Sequence, residues 1–198
     1  MQPYPVPKAP VVVEETIKKS RFITCLEHIE GLDAAKAFWQ SIKERHPGAR
    51  HWCFAAVAGR PEDAQQYAMS DDGEPGGTAG KPMLAQLLGS GVGEIAAVVV
   101  RYSGGIKLGT GGLVKAYGGG VAMALKGLET REKVPEVALT LAFPYQLQDR
   151  VAYLLAQAGG RVTGEDYGQG VRWQLALPAT AEASLLKSLA PWGDIEVT

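Results

Sequence analysis

Cysteine, histidine and net charge are all in short supply in this 198-residue chain, and each shortage removes a class of function. The only cysteines are Cys25 and Cys53. Both sit in apolar, strand-like runs, and nothing around them has the spacing of a disulfide framework or a zinc site. That usage fits a reducing compartment, and a cytoplasmic location is expected. The three histidines, His28, His46 and His51, form no metal-ligand spacing, so neither a metal nor a cofactor is expected. No apolar run approaches the roughly 20 residues of a membrane helix. Met1–Pro10 is proline-rich without the charged-then-apolar order of a signal peptide, so no membrane partner is expected. A formal net charge of −1 withholds the basic excess usual in nucleic-acid-binding domains.

Glycine is abundant instead, at 25 residues, and it gathers between Ser70 and Gly120. Charge is uneven in the same region. Between Glu94 and Glu129 there is no acidic residue, whereas Arg101, Lys107, Lys115 and Lys126 all fall inside that window. It is the one local basic bias of the chain.

Hydropathy patterning predicts an α+β protein of two domains. Val11–Ile17 and Arg21–Glu27, flanking Lys18-Lys19-Ser20, read as two strands joined tightly or as one bent strand. From Leu32 the apolar residues Ala35, Phe38, Trp39 and Ile42 mark one helix face, with Asp33 as the expected N-cap and His46-Pro47-Gly48 as the stop. His51–Ala58 reads as a buried strand and Gln65–Met69 as an edge strand. Thr78 is expected to cap a helix running to about Leu88, with Pro82 tolerated in the first turn. Ile95–Tyr102 is the central strand, because Val98-Val99-Val100 is apolar on both faces. A helix over Gly111–Leu128 follows, and its Gly118-Gly119-Gly120 run costs about 1 kcal/mol per glycine against alanine, which close backbone packing would have to offset. At Lys133-Val134-Pro135 the pattern changes, which divides the chain into residues 1–133 and 134–198. The second segment spells βαββαβ, a ferredoxin-like order.

Two loops carry the residues from which chemistry can be argued. Ser70-Asp-Asp-Gly-Glu-Pro-Gly-Gly-Thr-Ala-Gly-Lys-Pro82 places three acids and four glycines before a helix start. Free amides with Lys81 would attract phosphate or carboxylate, and Asp71, Asp72 and Glu74 could hold a hard cation. Alternatively, the glycines make turns and the acids cap the loop. It is not a Walker loop, because Pro75 and Pro82 stand where glycine and Ser or Thr are required. Arg101-Tyr-Ser-Gly-Gly-Ile-Lys-Leu-Gly-Thr-Gly-Gly-Leu-Val-Lys-Ala-Tyr117 joins a strand to a helix but fails the dinucleotide fingerprint at Val114. What remains is a glycine loop that could present amides, Lys107, Lys115, Tyr102 and Tyr117 to an anionic or stacked ligand. Cys53 and His51 share a strand face, but a buried strand cysteine is usually a small hydrophobe, and no catalytic residue is assigned.

Lys18-Lys-Ser-Arg-Phe-Ile23, Ser70-Asp-Asp-Gly-Glu-Pro75, Gly77-Thr-Ala-Gly-Lys-Pro82 and the Arg101–Tyr117 run closely resemble the IMPACT family in its bacterial branch. The resemblance implies an N-terminal α/β sandwich like the second domain of ribosomal protein S-five, followed by a ferredoxin-like domain. It also implies translational regulation. Eukaryotic members restrain a stress-activated kinase through an extra N-terminal module, for which the ten residues before Val11 leave no room. The expectation is a non-enzymatic factor that binds RNA, the ribosome or a translation-associated protein. The alternatives are a phosphate-ester or nucleotide-binding enzyme using Ser70–Pro82 with a divalent metal, and a protein-interaction adaptor. The residues expected to carry binding are Arg21, Lys81, Arg101, Tyr102, Gly104, Gly105, Lys107, Gly111, Gly112, Lys115 and Tyr117. Ser70, Asp71, Asp72, Glu74 and Thr78 are further candidates in the acidic loop.

Overall fold

A computed structural model describes all of residues 1–198. In chain order its first unit, Tyr4–Lys133, holds β1 (Tyr4–Pro7), β2 (Val11–Ile17), β3 (Ser20–His28), α1 (Leu32–Arg45), β4 (His51–Val57), β5 (Tyr67–Ser70), α2 (Gly80–Ser90), β6 (Ile95–Tyr102), α3 (Gly109–Lys126) and β7 (Thr130–Lys133). Five of the strands form an antiparallel sheet in the order β2-β3-β6-β4-β5. The valine run lies at its centre, and alternation along β6 feeds two cores. Ala96, Val98 and Val100 pack with Phe38 and Ile42 of α1. Ile95, Ala97 and Val99 pack with Met83 and Leu87 of α2 and with Tyr117 and Val121 of α3. The sheet is therefore covered on both sides, which is why its middle strand has no polar face.

Local details differ from the sequence expectation in places with physical reasons. Helix α1 begins after Gly31 at φ +85°, not at Asp33, which lies inside the first turn. Helix α2 starts at Gly80 rather than being capped by Thr78, whose hydroxyl instead donates to the Pro75 carbonyl at 2.6 Å. The glycine run of α3 has a packing reason at one position. A Cβ on Gly120 would lie 2.5 Å from Thr24 Oγ1 of β3, so only glycine lets this helix approach the sheet so closely, whereas a Cβ on Gly119 would meet nothing. No feature of the structure explains Gly119.

The short pair β1 and β7 has no counterpart in the hydropathy pattern. Two prolines in β1 limit its ladder bonds, yet Tyr4 pairs opposite Lys133 and Pro7 opposite Thr130. Glu94 locks the end of this pair. Its buried carboxylate accepts from Tyr4 Oη at 2.8 Å and Lys133 Nζ at 2.6 Å, and meets His28 Nε2 at 2.9 Å.

The second unit, Val134–Thr198 with Met1–Pro3, contains β8 (Glu136–Phe143), α4 (Gln148–Gln157), β9 (Arg161–Tyr167), β10 (Val171–Pro178), α5 (Glu182–Leu189) and β11 (Glu196–Val197). Its sheet order β11-β8-β10-β9, antiparallel throughout, is the ferredoxin-like arrangement. Val151 and Leu155 of α4 and Leu185 and Leu189 of α5 bury against Leu141, Trp173, Leu175 and Leu177. The chain is thus a two-domain α+β protein.

The two neighbouring glycines give opposite expectations. Gly119→Ala stabilises by about 0.5–1 kcal/mol through helix propensity. Gly120→Ala destabilises by about 1–2 kcal/mol because overpacking against Thr24 outweighs that gain. Urea denaturation of the two variants checks the pair.

Candidate functional site

Antiparallel pairing brings the starts of β3 and β4 and the ends of β5 and β6 to one end of the five-stranded sheet. Arg101 lies opposite Phe22 on one side and His51 on the other, and Tyr102 lies opposite Arg21. Two loops leave from this end. Residues 71–79 run from β5 into α2, and residues 103–108 run from β6 into α3. Both helices therefore begin here.

The three acids of the first loop turn inward, each to a different partner. Asp71 accepts from the amides of Gly77 at 2.9 Å, Ala79 at 3.1 Å and Gly80 at 2.9 Å. It is the N-terminal cap of α2, supplied from nine residues upstream. Burial alone would raise its carboxyl, but the three amides outweigh that and hold it below the usual carboxylate range. Asp72, in the left-handed region at φ +44°, accepts from the Trp52 amide at 2.9 Å and lies 3.6 Å from Lys43 Nζ. Ser70 Oγ accepts from the Asp72 amide at 3.1 Å. Glu74 is buried and accepts from Arg101 Nη1 at 2.8 and 3.0 Å. Asp71, Asp72 and Glu74 thus form the loop's internal bracing. They do not converge on one point, which corrects the expectation of a shared hard-cation site.

Glu74 also meets His51 Nε2 at 2.7 Å, while His51 Nδ1 meets the Asp72 carbonyl at 2.8 Å. A carbonyl can only accept, so Nδ1 carries a hydrogen. Arg101 completes the network through Ser20, whose Oγ lies 3.3 Å from Nη2 and also accepts from the Gly104 amide at 3.3 Å. This hydroxyl ties the two loops' anchors together.

Several residues expected at a binding surface lie inside. Arg101 is 8% exposed and committed to Glu74. Tyr117 is fully buried, packs edge-to-face on Phe22 with ring centroids 5.4 Å apart, and leaves its hydroxyl without a partner. It cannot stack on a ligand. Burial pushes the Tyr117 hydroxyl and the Cys53 thiol well above their ordinary values, and the thiol donates to the Asp71 carbonyl at 3.0 Å. A thiol so held is not a nucleophile. Arg21 is exposed but paired with Glu14, and its guanidinium lies 5.3 Å from the centre of the half-buried Tyr102 ring. The Tyr102 hydroxyl contacts His46 Nδ1 at 2.8 Å.

The remaining candidates lie outside. Lys81, Gly105, Lys107, Gly111 and Lys115 are exposed, and Gly104 and Gly112 partly so. No carboxylate lies within salt-bridge distance of the three lysines. No side chain accepts from the first amides of helix α3, and the stretch that carries them, Gly109-Thr110-Gly111-Gly112, is exposed or partly so with little side chain to cover it. The helix dipole adds to the pull on an anion there. A concavity of the second unit, about 560 Å³, is lined by Asp166, Asp194 and Glu196 together with Arg172, a net acidic lining that does not suit such a ligand.

Removing the Asp71 cap with Asp71→Ala costs about 1–2 kcal/mol. Because the folded carboxyl titrates below its ordinary value, its stabilisation is complete above the unfolded-state pKa and is lost as pH falls through the folded one. Asp71→Asn therefore flattens that acid limb, which chemical denaturation across the acid range measures.

Comparison with known proteins agrees with this architecture. Residues 18–125 match the Impact N-terminal domain, and residues 141–191 match a domain of unknown function, DUF1949. The chain is 57% identical over 190 residues to the IMPACT family member YigZ of Escherichia coli (strain K12), covering 96% of this chain and 93% of that one. It is 45% identical over 120 residues to the IMPACT family member YvyE of Bacillus subtilis (strain 168), covering 61% and 54%. A crystal structure of a hypothetical protein, 55% identical, superimposes with a TM-score of 0.79 over 100% of this chain and 97% of the other. With its N-terminal domain, its second domain and nearly its full length matched, the chain belongs to the IMPACT family as a YigZ-like member.

Proposed function

We propose that this protein is a non-enzymatic factor of translation that binds RNA through the exposed rim formed by Lys81, Gly105, Lys107, Gly111 and Lys115. The observation that carries the reading is the contrast between the two helix starts. The amides at the start of α2 are occupied by Asp71, whereas those at the start of α3 have no side-chain cap. Phosphate oxygens are the ligand that open amides and unpaired ammonium groups suit together. Family membership supports the connection to translation, and the acid-free segment from Ile95 to Leu128 supports the sign of the partner.

The contribution of Arg101, Tyr117 and the acidic loop is indirect in this reading. Their network fixes where the rim residues stand. Binding of a nucleotide with a divalent metal at Ser70–Pro82 is disfavoured, because Asp71, Asp72 and Glu74 already have partners within the chain.

Fluorescence anisotropy with single-stranded and structured RNA at low and high salt tests the proposal. Wild-type protein binds at low salt with an affinity that falls as salt rises. The double variant Lys107→Ala/Lys115→Ala lowers the log–log salt slope by about 1.4 on single strands, about 0.7 per lost phosphate contact. Absence of binding below about 100 µM at low salt, where charge-driven affinity is greatest, would overturn it.

A further inference from the structure

The turn between β2 and β3 contains two residues, Lys18 and Lys19, because Ile17 pairs directly with Ser20. Both are in the left-handed region, at φ +45° and +65°. A two-residue hairpin needs this handedness to match the twist of its strands, and it is ordinarily met by Asn-Gly, since a side chain there crowds the backbone. Lysine has no local hydrogen bond with which to offset that crowding. Two successive lysines are therefore among the less favourable choices for this turn, and the surrounding structure must hold them.

It does so from one side. A Cβ on Gly104 would lie 2.1 Å from the Lys19 carbonyl oxygen, so the tip is seated on the loop that carries Lys107. Ser20 Oγ fastens the seat by accepting from the Gly104 amide. Of the two lysine side chains only the Lys19 Cβ abuts Gly104, and the charged ends take no part in the seat. Both are exposed, and neither has a carboxylate within salt-bridge distance. The other cations at this end of the sheet are all paired or external to the turn, with Arg21 on Glu14, Arg101 on Glu74 and Lys43 on Asp72.

Strained backbone carrying exposed ammonium groups with no ion-pair partner within the molecule points to a partner outside it. We infer that the Lys18-Lys19 tip is a second phosphate-binding element of the RNA rim, which rests on the RNA reading of the α3 start. The backbone of the tip is seated on Gly104, so it presents two adjacent lysines beside the loop that carries Lys107. Point charges of this kind recognise backbone phosphates and not bases. Binding through it is expected to be insensitive to sequence and to extend the footprint beyond the α3 start.

The test replaces the turn by the residues its geometry favours. Lys18→Asn with Lys19→Gly is expected to raise the melting temperature by about 3 °C, while weakening binding of single-stranded RNA at low salt about tenfold and lowering the salt slope by about 1.4. Gain of stability together with loss of binding is a combination that a purely structural role for the lysines would not produce. Lys18→Gln with Lys19→Gln removes the charges alone. It should reproduce the loss of slope without the gain in stability. If both variants bind RNA as the wild type does while Lys107→Ala/Lys115→Ala weakens binding, the tip is not a contact and the rim reading stands. If wild-type protein binds no RNA at low salt, both readings fall.

Discussion

One buried carboxylate organises the end of the five-stranded sheet from which both glycine-rich loops leave. Glu74 lies on a glycine-rich loop that has little reason of its own to adopt a single shape, and it is pinned by Arg101 from the central strand and His51 from the adjacent one. Withdrawing three ionisable groups from water carries a penalty of several kcal/mol per ion, recovered only where geometry and additional hydrogen bonds are good. Here they are, since Ser20 satisfies the guanidinium, and the Asp72 carbonyl satisfies the other ring nitrogen. Lose Glu74 or Arg101 and its ion-pair partner is left as an unpaired charge in the interior. The loop is therefore ordered by the sheet beneath it, and the sheet's charged strand ends are in turn neutralised by the loop.

That bracing makes the two helix starts unequal. With Glu74 fixed, Asp71 is delivered to the amides of α2 and that end is closed from within. No acid of the second loop does the same for α3, because the segment that contains it has no acid at all. The same glycine-rich composition thus produces a sealed terminus in one loop and an accessible one in the other, and the difference lies in three carboxylates. A surface built this way needs no net positive charge on the protein, and so it is compatible with an overall charge of −1.

Much of the architecture was legible in the residues. The valine run announced a strand buried on both faces, and the return from a 3.6-residue to a two-residue period announced the second domain's order. The site was only partly legible. Glycines and lysines identified the exposed rim, but Arg101 and Tyr117 sit in the same motif and turn inward, because alternation along β6 and the buried face of α3 decide their direction. Nothing local signals that Asp71 caps a helix nine residues on, or that His51, Glu74 and Arg101 meet, since these contacts depend on strand order. Strands β1 and β7 escaped notice for a related reason. They are short, proline-bearing or charged, and only Val6 and Pro7 of β1 are buried, too brief an apolar pattern to register, with Glu94 closing the end.

That last arrangement has a mechanical meaning. Because Tyr4 and Lys133 lie opposite one another and both reach Glu94, tension on the two ends of the first domain would load the pair in the peeling direction. Its bonds would break in succession, beginning with the Glu94 clasp, while the five-stranded sheet bore little of the force. The domain's entry and exit would then open before the far end of the sheet is disturbed.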